Sequence, residues 1–504
     1  MTNPRRRFLS LVTAVAISAT VLTGCNSEPN TPSADQKTLV IGATAQPQVL
    51  DMTINNGAAI PQALLYNVYE TLVEIDSDGN IVPGLAKSWT ISEDRLTYTF
   101  ELNDQARFPS GTPVDASAVM KSFENIRSGS KINPTLRTEM AVISKITAIS
   151  DYTLEVKLTR PSNMWLYNIA QHAGIIIDPA KIGDISTSSA GSGPYQIKAW
   201  NPGESVILER RDDYWGEKPH FSKVEFRYFS DPSAENAAML SGDIDIISTV
   251  AAPQALQSFT DSSRFTIYEG TTTMEIMLVF NHATAALKNL KVRQAINYAI
   301  DRKALVDTIW AGKGMLIGSM VPPSDPWYED LSNTYSYDPD RARALLAEAG
   351  YADGLELRLR VPTLPYATEG ARFVASYLEK VGIKVTLDEL EFPARWLDVV
   401  MGQRNYDMTI IGHAEPRDIT RYADPTYYFG YNNPSVQQLV EKADRGTESE
   451  QIADMKKVAK ILADDAVADF LFLLPSLIVS RTGLSNVPTN ANNLTFDVRR
   501  ISEG

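Results

Sequence analysis

The chain contains one spacing that could support covalent catalysis. Ser128-Gly129-Ser130-Lys131 has the Ser-x-x-Lys order in which a lysine amine can activate a serine hydroxyl as an acylating nucleophile. Enzymes of this kind also need a Lys-Thr-Gly segment, and the chain has none. A His-Glu-x-x-His zinc helix and a phosphate-binding P-loop are missing as well. The sequence therefore predicts a protein that is not an enzyme, in which the spacing at Ser128 arises by chance.

Metal-binding patterns are equally weak. Asp76-Ser77-Asp78-Gly79-Asn80 begins like a calcium-binding loop, but the twelfth position, which needs a carboxylate, is Lys87. The four histidines are His172, His220, His282 and His413, and no two of them lie at a close spacing. We therefore expect a hairpin turn at residues 76–80, no metal held by the protein alone and no cofactor.

The single cysteine suggests a different kind of chemistry. Arg5-Arg6-Arg7 and an apolar run from Leu9 to Leu22 precede Leu22-Thr23-Gly24-Cys25. This order resembles a lipoprotein signal peptide, in which the cysteine is acylated and becomes the mature N-terminus. We expect residues 1–24 to be removed and residues 25–36 to form a flexible tether. The protein would then be exported and held at the cell membrane by its lipid; an ordinary signal peptide with an incidental cysteine is the alternative.

Length and composition predict a folded body of several domains. The chain has 504 residues, of which 44% are hydrophobic and 21% charged, enough for the cores of two or three domains. The formal net charge is -14, which argues against nucleic acid as a partner. Beyond the signal segment, no apolar run approaches the length of a transmembrane helix.

Hydrophobic patterns predict strands that alternate with helices. Leu96 to Leu102 and Tyr152 to Leu158 alternate in the manner of half-buried antiparallel strands, whereas Met274 to Phe280 is apolar except for Glu275, as in a buried strand. Between Leu355 and Leu387 a strand, a helix and a strand follow one another. This order predicts an α/β fold with mixed sheets.

Helix signals lie between these strands. A helix is predicted to begin at Pro61 and to bury Leu64, Leu65, Val68 and Leu72. Three aspartates predict the N-terminal caps of further helices, at Asp115, Asp301 and Asp338.

Five motifs occur along the chain in one order: Pro83 to Trp89, Phe108 to Val114, Gly191-Ser192-Gly193-Pro194-Tyr195, Asp213-Tyr214-Trp215-Gly216 and Val292 to Arg302. The glycines at 191 and 193 predict a tight change of direction, because glycine can take a positive φ. The ordered set resembles the family 5 extracytoplasmic solute-binding proteins, the peptide- and nickel-binding receptors of ABC importers.

The resemblance implies an α/β fold of the type II periplasmic-binding-protein kind. Two lobes joined by crossing strands would close over a ligand, and an extra domain would enlarge one lobe. On this basis residues 37–73, 190–273 and 479–504 form domain I, residues 74–189 form domain II and residues 274–478 form domain III. The crossings near Leu72 and Gly193 would supply the hinge.

The resemblance also implies where the ligand binds. The loop Thr44-Ala45-Gln46-Pro47 resembles the segment whose backbone pairs with bound peptide in peptide receptors. Opposite it, the expected ligand-binding residues are Ile411, Gly412, His413, Glu415, Arg417 and Asp418. In peptide receptors this loop carries an aromatic residue, whose place His413 takes, and then an acid for the peptide α-amino group, here Glu415 or Asp418. These side chains could equally form ordinary loop hydrogen bonds and surface pairs. Trp396 could cover a ligand side chain or pack against a helix.

The leading hypothesis is a substrate-binding lipoprotein of an ABC importer. The protein would act as a monomer that captures a small solute, with a peptide as the leading candidate, in the interlobe cleft. It would then deliver this solute to the permease and ATPase subunits. A receptor for nickel or another metal chelate, held partly by His413, is the alternative within the family. A serine acylase of the penicillin-interactive kind and a surface adhesin or scaffold are the other classes.

Overall fold

The computed structural model describes residues 37–55, 57–186 and 189–504, so the predicted signal peptide, the tether and Cys25 lie outside the described residues. The strands are β1 (Thr38–Ala43), β2 (Val73–Ile75), β3 (Ile81–Pro83), β4 (Ala86–Ile91), β5 (Thr97–Leu102), β6 (Ile143–Ser150), β7 (Thr153–Leu158), β8 (Tyr195–Asn201), β9 (Ser205–Arg210), β10 (Lys223–Tyr228), β11 (Ile246–Ile247), β12 (Phe265–Gly270), β13 (Glu275–Phe280), β14 (Leu355–Pro362), β15 (Ile383–Leu390), β16 (Met408–His413), β17 (Ala468–Leu473), β18 (Ser476–Arg481), β19 (Leu484–Ser485) and β20 (Ser502–Glu503).

The helices are α1 (Ala59–Leu64), α2 (Ala116–Ser128), α3 (Pro134–Glu139), α4 (Asn163–Asn168), α5 (Pro232–Ser241), α6 (Leu290–Ala299), α7 (Arg302–Ile309), α8 (Pro339–Glu348), α9 (Pro365–Glu379), α10 (Ala394–Trp396), α11 (Pro434–Arg445) and α12 (Glu448–Asp464). A wider helical turn, Leu397–Gly402, continues α10, and tight turns occupy His172–Gly174, Pro253–Phe259, Ala286–Lys288 and Asp418–Ala423. In the part of the chain that the structure covers, no helix has both the length and the apolar character needed to span a bilayer.

Three sheets organise the fold. Sheet A has the strand order β12-β18-β11-β1-β10-β9-β8 and sheet C the order β15-β14-β16-β13-β17, and both combine parallel with antiparallel neighbours. Sheet B, with the order β4-β5-β7-β6, is antiparallel throughout. The predicted α/β class with mixed sheets is thereby confirmed. The domain limits stay a prediction; β18 in sheet A begins at Ser476, three residues before the predicted return to domain I at 479.

The apolar run of β13 explains its place inside sheet C. Ile276 and Leu278 pack into the core on one face of the sheet, and Met277 and Val279 pack into the core on the other face. Successive side chains of a strand point to opposite faces, so a strand covered on both sides needs a continuous apolar run. Glu275, the first residue of β13, is the polar exception and lies near the candidate site.

Sheet B has one covered face. Tyr98 and Phe100 of β5 pack into its core, whereas the intervening Thr97 and Thr99 remain half-buried, as the alternating pattern predicts. Helix α2 covers the same core, and the carboxylate of its cap, Asp115, accepts a hydrogen bond from the N–H of Ala118. The carboxylates of Asp301 and Asp338 cap α7 and α8 in the same way, so all three predicted caps are confirmed.

The first helix is shorter than predicted. Helix α1 covers Ala59–Leu64, so Pro61 lies inside it rather than at its start. Tyr66 takes the left-handed conformation, with φ of 62°, and the helix cannot continue through it. Val68 and Leu72 are buried, but Val68 lies in the turn that follows the helix and Leu72 in the segment that leads to β2. Their spacing suits a helix, yet their burial comes from a different element.

Two chain segments run side by side between sheets A and B. The N–H of Gly193 donates to the carbonyl oxygen of Val68 at 3.0 Å, and the N–H of Tyr195 donates to that of Asn67 at 3.0 Å. A Cβ at Gly191 would lie 2.0 Å from the oxygen of Val68. The glycine is thus needed for close approach; the prediction of a positive φ is wrong, since neither Gly191 nor Gly193 has one.

Glu70 ties these crossing segments together. Its carboxylate accepts hydrogen bonds from Ser192 Oγ at 2.7 Å, Tyr214 Oη at 2.8 Å and Trp215 Nε1 at 3.2 Å. Burial raises the pKa of Glu70, and the hydroxyls of Ser192 and Tyr214 oppose this rise. Two of the sequence motifs therefore meet at one carboxylate on the crossing. The role of this region as a hinge stays a prediction.

Candidate functional site

A cavity of about 660 Å³ lies between two parts of the chain. One side, which we call wall B, comes from residues between 135 and 172 that lie before strand β6 and after strand β7 of sheet B. The other side, wall C, comes from residues 415–444, which follow β16 of sheet C. The volume lies within the range of about 300–1,000 Å³ that is usual for small-molecule sites. The lining is rich in charged and polar side chains, so the cavity suits a polar solute.

Hydrogen bonds join the walls at one end of the cavity. The carboxylate of Asp444, in α11, accepts from Arg160 Nη1 at 2.5 Å, from Ser162 Oγ at 2.9 Å and from the N–H of Met164 at 2.9 Å. Asn163 Nδ2 adds a bond to the carbonyl oxygen of Ala443 at 2.9 Å. We call the contacts of Asp444 the latch. The structure therefore shows the two walls in a closed arrangement.

His413 is held from both sides by other side chains of its own wall. Its Nδ1 lies 3.0 Å from Asp418 Oδ2, and its Nε2 lies 2.9 Å from Tyr428 Oη. Asp418 is only 5% exposed, and burial raises its pKa against the opposing effect of His413. Glu275, the sheet neighbour of His413, also has a raised pKa, chiefly through burial and then through the charge of Asp418. Both nitrogens of His413 are thus engaged within the protein.

Glu415 forms an ion pair at the cavity surface. Its Oε2 accepts from Arg421 Nη2 at 2.7 Å. Burial alone would raise the pKa of Glu415, but the Arg421 guanidinium outweighs burial and leaves the pKa below its usual value. Glu415 is therefore ionised and paired at neutral pH.

Arg417 presents a guanidinium that is held mainly by aromatic rings. Its Cζ lies 3.9 Å from the ring centre of Tyr167, a buried residue of α4 outside the cavity lining, and 5.1 Å from that of Trp327. Its Nε is 3.9 Å from Asp325 Oδ1 and makes no hydrogen bond. Burial raises the pKa of Asp325 to about 7, and Arg417 opposes that rise. Among the described residues, neither Nη of Arg417 has a hydrogen-bond acceptor.

The backbone of Arg417 is also unusual. Its φ is 61°, in the left-handed region that costs a non-glycine residue on the order of 1 kcal/mol or more. Such strain persists where the surrounding structure fixes it, commonly in ligand-binding loops. The loop thus directs this side chain toward the cavity at an energetic cost.

Wall B contributes two polar side chains that the sequence did not predict as ligand-binding. Glu139, the last residue of α3, lines the cavity, and burial raises its pKa to about 7. His172 lines it too and is 6% exposed, and its Nε2 has no hydrogen-bond partner. Burial lowers the pKa of His172 to about 4, so the imidazole is neutral. No local sequence signal marks either residue, because only the fold brings them to the cavity.

Several predicted ligand residues lie elsewhere. Thr44, Ala45 and Gln46 are exposed and Pro47 is buried; none of these described residues lines the cavity. Trp396 is 2% exposed and donates from Nε1 to Thr409 Oγ1 at 3.1 Å, so it packs in the core. Ile411 and Gly412 belong to β16, outside the lining. Glu415, Arg417 and Asp418 do line the cavity. The ligand role of all these residues stays a prediction.

Other chemistry finds little support. Over residues 37–55, 57–186 and 189–504 no group of three or more His, Cys, Asp or Glu side chains could hold a metal ion. Ser128 Oγ donates to the carbonyl oxygen of Glu124 at 2.7 Å, at the exposed end of α2. That hydroxyl caps its own helix and lies outside the cavity lining.

Comparison with known proteins adds independent information. The model of the family described as bacterial extracellular solute-binding proteins, family 5 Middle, matches residues 80–436. The chain is 29% identical over 463 residues to the probable D,D-dipeptide-binding periplasmic protein DdpA of Escherichia coli (strain K12), covering 86% of this chain and 88% of the relative. It is 27% identical over 453 residues to the nickel-binding periplasmic protein of the same organism, covering 84% and 86%.

A solved structure supports the same fold. The PBP AgaA from A. tumefaciens R10, in complex with agropinic acid, superposes with a TM-score of 0.81 at 25% identity, covering 93% of this chain and 99% of that one. This likeness confirms the predicted type II periplasmic-binding-protein fold.

Proposed function

We propose that this chain, which belongs to the bacterial extracellular solute-binding proteins of family 5, captures a short peptide between walls B and C and delivers it unaltered to an ABC permease. The observation that carries the proposal is the cavity of about 660 Å³ whose lining includes charges of both signs. A short peptide is a zwitterion at neutral pH, with an ammonium and a carboxylate at its ends. The name of one relative, a probable D,D-dipeptide-binding protein, supports this ligand class.

Arg417 is our candidate for the ligand carboxylate. Its guanidinium is stacked 3.9 Å from the ring centre of Tyr167, and its Nη donors have no acceptor among the described residues. A guanidinium pairs well with a carboxylate through two parallel hydrogen bonds, and stacking fixes its plane beforehand. A ligand carboxylate could therefore bind the Nη atoms of Arg417 without breaking a hydrogen bond, because the contact of Arg417 with Asp325 is long, at 3.9 Å.

Glu415 is our candidate on wall C for the ligand α-amino group. It is ionised, and it lines the cavity, although Arg421 already balances its charge. Asp418 lies deeper and holds His413, so we assign it to positioning the loop. Ala in place of either acid is expected to weaken capture of a free-amine peptide by about 2 kcal/mol or more.

Closure of the two walls would bury the ligand. Because one chain supplies both walls, we propose that the protein works as a monomer, with the crossing at Glu70 as its hinge. A ligand that contacts both walls favours the closed form, since only that form makes both sets of contacts. The latch around Asp444 adds stability to the same closed form, which the permease and its ATPase would recognise.

A nickel chelate is the second candidate ligand. The nickel-binding relative, 27% identical to this chain, supports it, as does the free Nε2 of His172 at the cavity. A chelate held by His413 would first have to displace Asp418 or Tyr428 from its ring nitrogens. The carboxylate of a peptide would meet no such competition at Arg417, whose Nη donors have no acceptor among the described residues.

The test compares ligands on the natively purified protein. Native mass spectrometry should detect a bound peptide, and adding a pool of dipeptides and tripeptides should raise the melting temperature. When the free ligand concentration is a hundred times Kd, binding stabilises the folded state by about 2.7 kcal/mol. If Ni²⁺ with L-histidine raises the melting temperature and the peptides do not, the nickel proposal replaces this one. If neither does, both ligand proposals fail.

We also propose that Cys25 is lipidated after cleavage of residues 1–24, so that the protein is anchored to the cell membrane. The arginines, apolar run and Leu-Thr-Gly-Cys order support this. A Cys25→Ser variant should appear in the soluble extracytoplasmic fraction, whereas the unmodified sequence should sediment with membranes. If both sediment equally, the anchor is not at Cys25.

A further inference from the structure

Glu139 is the one charged side chain of the cavity lining that has no hydrogen bond or ion pair to a described residue. The other acids of the lining are paired: Glu415 with Arg421, Asp418 with His413, Asp444 with Arg160 and Glu441 with Arg445. Glu139 is half-buried, and a carboxylate that is partly withdrawn from water without a partner carries an energetic cost. Because Glu139 lies inside a ligand cavity, a bound ligand could supply the missing partner and offset this cost.

The surroundings of Glu139 come from both walls. Helix α3, which ends at Glu139, packs against the turn of His172–Gly174 in wall B. The charges of Arg421 and Glu415 reach Glu139 from wall C, and the charge of Glu415 acts on His172 as well. Glu139, His172 and Glu415 therefore converge on one part of the cavity. The Nε2 of His172, a residue only 6% exposed, is a buried polar atom without a hydrogen-bond partner at this place.

We infer that Glu139 binds a cationic nitrogen of the ligand, an ammonium or guanidinium group, which it shares with Glu415 across the cavity. This inference rests on the proposed function and specifies the ligand class: a solute with an accessible cation opposite its carboxylate. The neutral imidazole of His172 supplies one further polar contact for that group.

Charge balance selects a cation over the alternatives. Arg421 is already paired with Glu415, so ionised Glu139 leaves a net negative charge at this end of the cavity. An anionic ligand group would be repelled there, and an uncharged group would leave the carboxylate desolvated and unbalanced. Among the residues that the structure describes, no cluster of three metal-binding side chains exists here to hold a bare metal ion.

The inference predicts a proton linkage. In the closed arrangement that the structure shows, burial raises the pKa of Glu139 to about 7, so Glu139 is about half protonated at pH 7, and a cation binds to its ionised form. Ligand binding should therefore release up to about half a proton at pH 7, and affinity should rise from pH 6 to pH 7.5. His172, with a pKa of about 4, stays neutral over this range, and Arg421 stays charged.

The experiment uses the wild-type protein and Glu139→Gln with a pool of dipeptides and tripeptides, free or N-acetylated, read by native mass spectrometry and calorimetry. We expect the variant to bind free-amine peptides at least about tenfold more weakly and to lose the proton release. N-acetylated peptides that lack Lys and Arg carry no cation and should bind both proteins equally weakly. Glu124→Gln, on α2 and paired with Arg127 outside the cavity lining, is the matched control and should bind like wild type.

The outcomes separate this inference from the proposed function. If Glu139→Gln retains free-amine peptides and their proton release, the inference is overturned while peptide capture stands. If the wild-type protein retains no peptide of either kind, both fail. Should Glu139→Gln melt well below wild type, Glu139→Asp provides the second variant: it keeps the charge, and restored binding supports the inference, whereas binding as weak as that of Glu139→Gln overturns it.

Discussion

The latch offers a direct test of closure, through the substitution Asp444→Asn. This change keeps the shape of the side chain and removes its charge. In the structure the carboxylate accepts from Arg160 Nη1 at 2.5 Å, Ser162 Oγ at 2.9 Å and the N–H of Met164 at 2.9 Å. An amide has one acceptor oxygen and turns donors toward the remaining contacts. Because all three donors belong to wall B, the loss falls on the closed form.

The free energy that Asp444→Asn removes from the closed form can be estimated from the solvent exposure of the paired side chains. The Asp444 side chain is 13% exposed, whereas that of Arg160 is 37% exposed, so water screens the ion pair and we take it as about 1 kcal/mol. The two hydrogen bonds from Ser162 and Met164 to a largely buried charge add about 1–2 kcal/mol in total. The closed form should therefore lose about 2–3 kcal/mol. If the unliganded protein is mainly open, ligand binding becomes weaker by the same free energy, which raises Kd by about 30- to 150-fold.

Calorimetry and stopped-flow dissociation measure this effect, with the peptide recovered from natively purified wild-type protein. Most of the change should be in the dissociation rate, because opening releases the ligand. Asp464→Asn is the matched control: Asp464 pairs with Lys460 within α12, and both side chains are exposed, so a change within about twofold is expected. An Asp444→Asn protein with the affinity and dissociation rate of wild type would refute the latch reasoning.

Three further predictions concern stability and binding. Glu235 is buried, its Oε1 has no hydrogen-bond partner, and burial raises its pKa to about 8. Between about pH 4.3 and pH 8 the folded protein therefore binds more protons than the unfolded protein, so the stability of the folded state falls as pH rises. In urea titrations, Glu235→Gln should gain about 2–3 kcal/mol over wild type between pH 5.5 and pH 8, and an equal difference at both pH values would contradict this. Gly191→Ala should destabilise by about 3 kcal/mol or more, because its Cβ would lie 2.0 Å from the oxygen of Val68; the control Gly370→Ala, in helix α9 with no atom within 3.4 Å, should be neutral or stabilising, and similar losses in both would refute the close-approach argument. Arg417→Gln should weaken peptide binding at least about tenfold but leave binding of C-terminally amidated peptides unchanged; equal losses for both ligands would remove Arg417 from carboxylate recognition.

Local signals in the sequence predicted much of the fold. The caps at Asp115, Asp301 and Asp338 and the one-sided pattern of β5 depend on neighbouring residues alone, and the structure confirms them. Helix α1 was predicted too long because burial of Val68 was attributed to a helical face. That burial arises from a crossing segment packed against Gly191 and Gly193, which no local pattern reveals.

The cavity was less accessible to sequence reasoning. Arg417 and Glu415 were named because a resemblance pointed to their loop, and both line the cavity. Glu139 and His172 lie more than 200 residues before that loop, and neither belongs to a recognisable motif. The buried, unpartnered Nε2 of His172 and the unpaired carboxylate of Glu139 became visible only when the fold placed them at the cavity. A half-buried carboxylate without a partner is a property of tertiary structure, not of spacing.

The most direct test of the central claim is a crystal structure of the natively purified protein with its co-purifying ligand. The account predicts a small solute enclosed between walls B and C, with a carboxylate at Arg417 and a cationic nitrogen near Glu139 and Glu415. A ligand bound outside this cavity, for instance only along Thr44–Pro47, would contradict it.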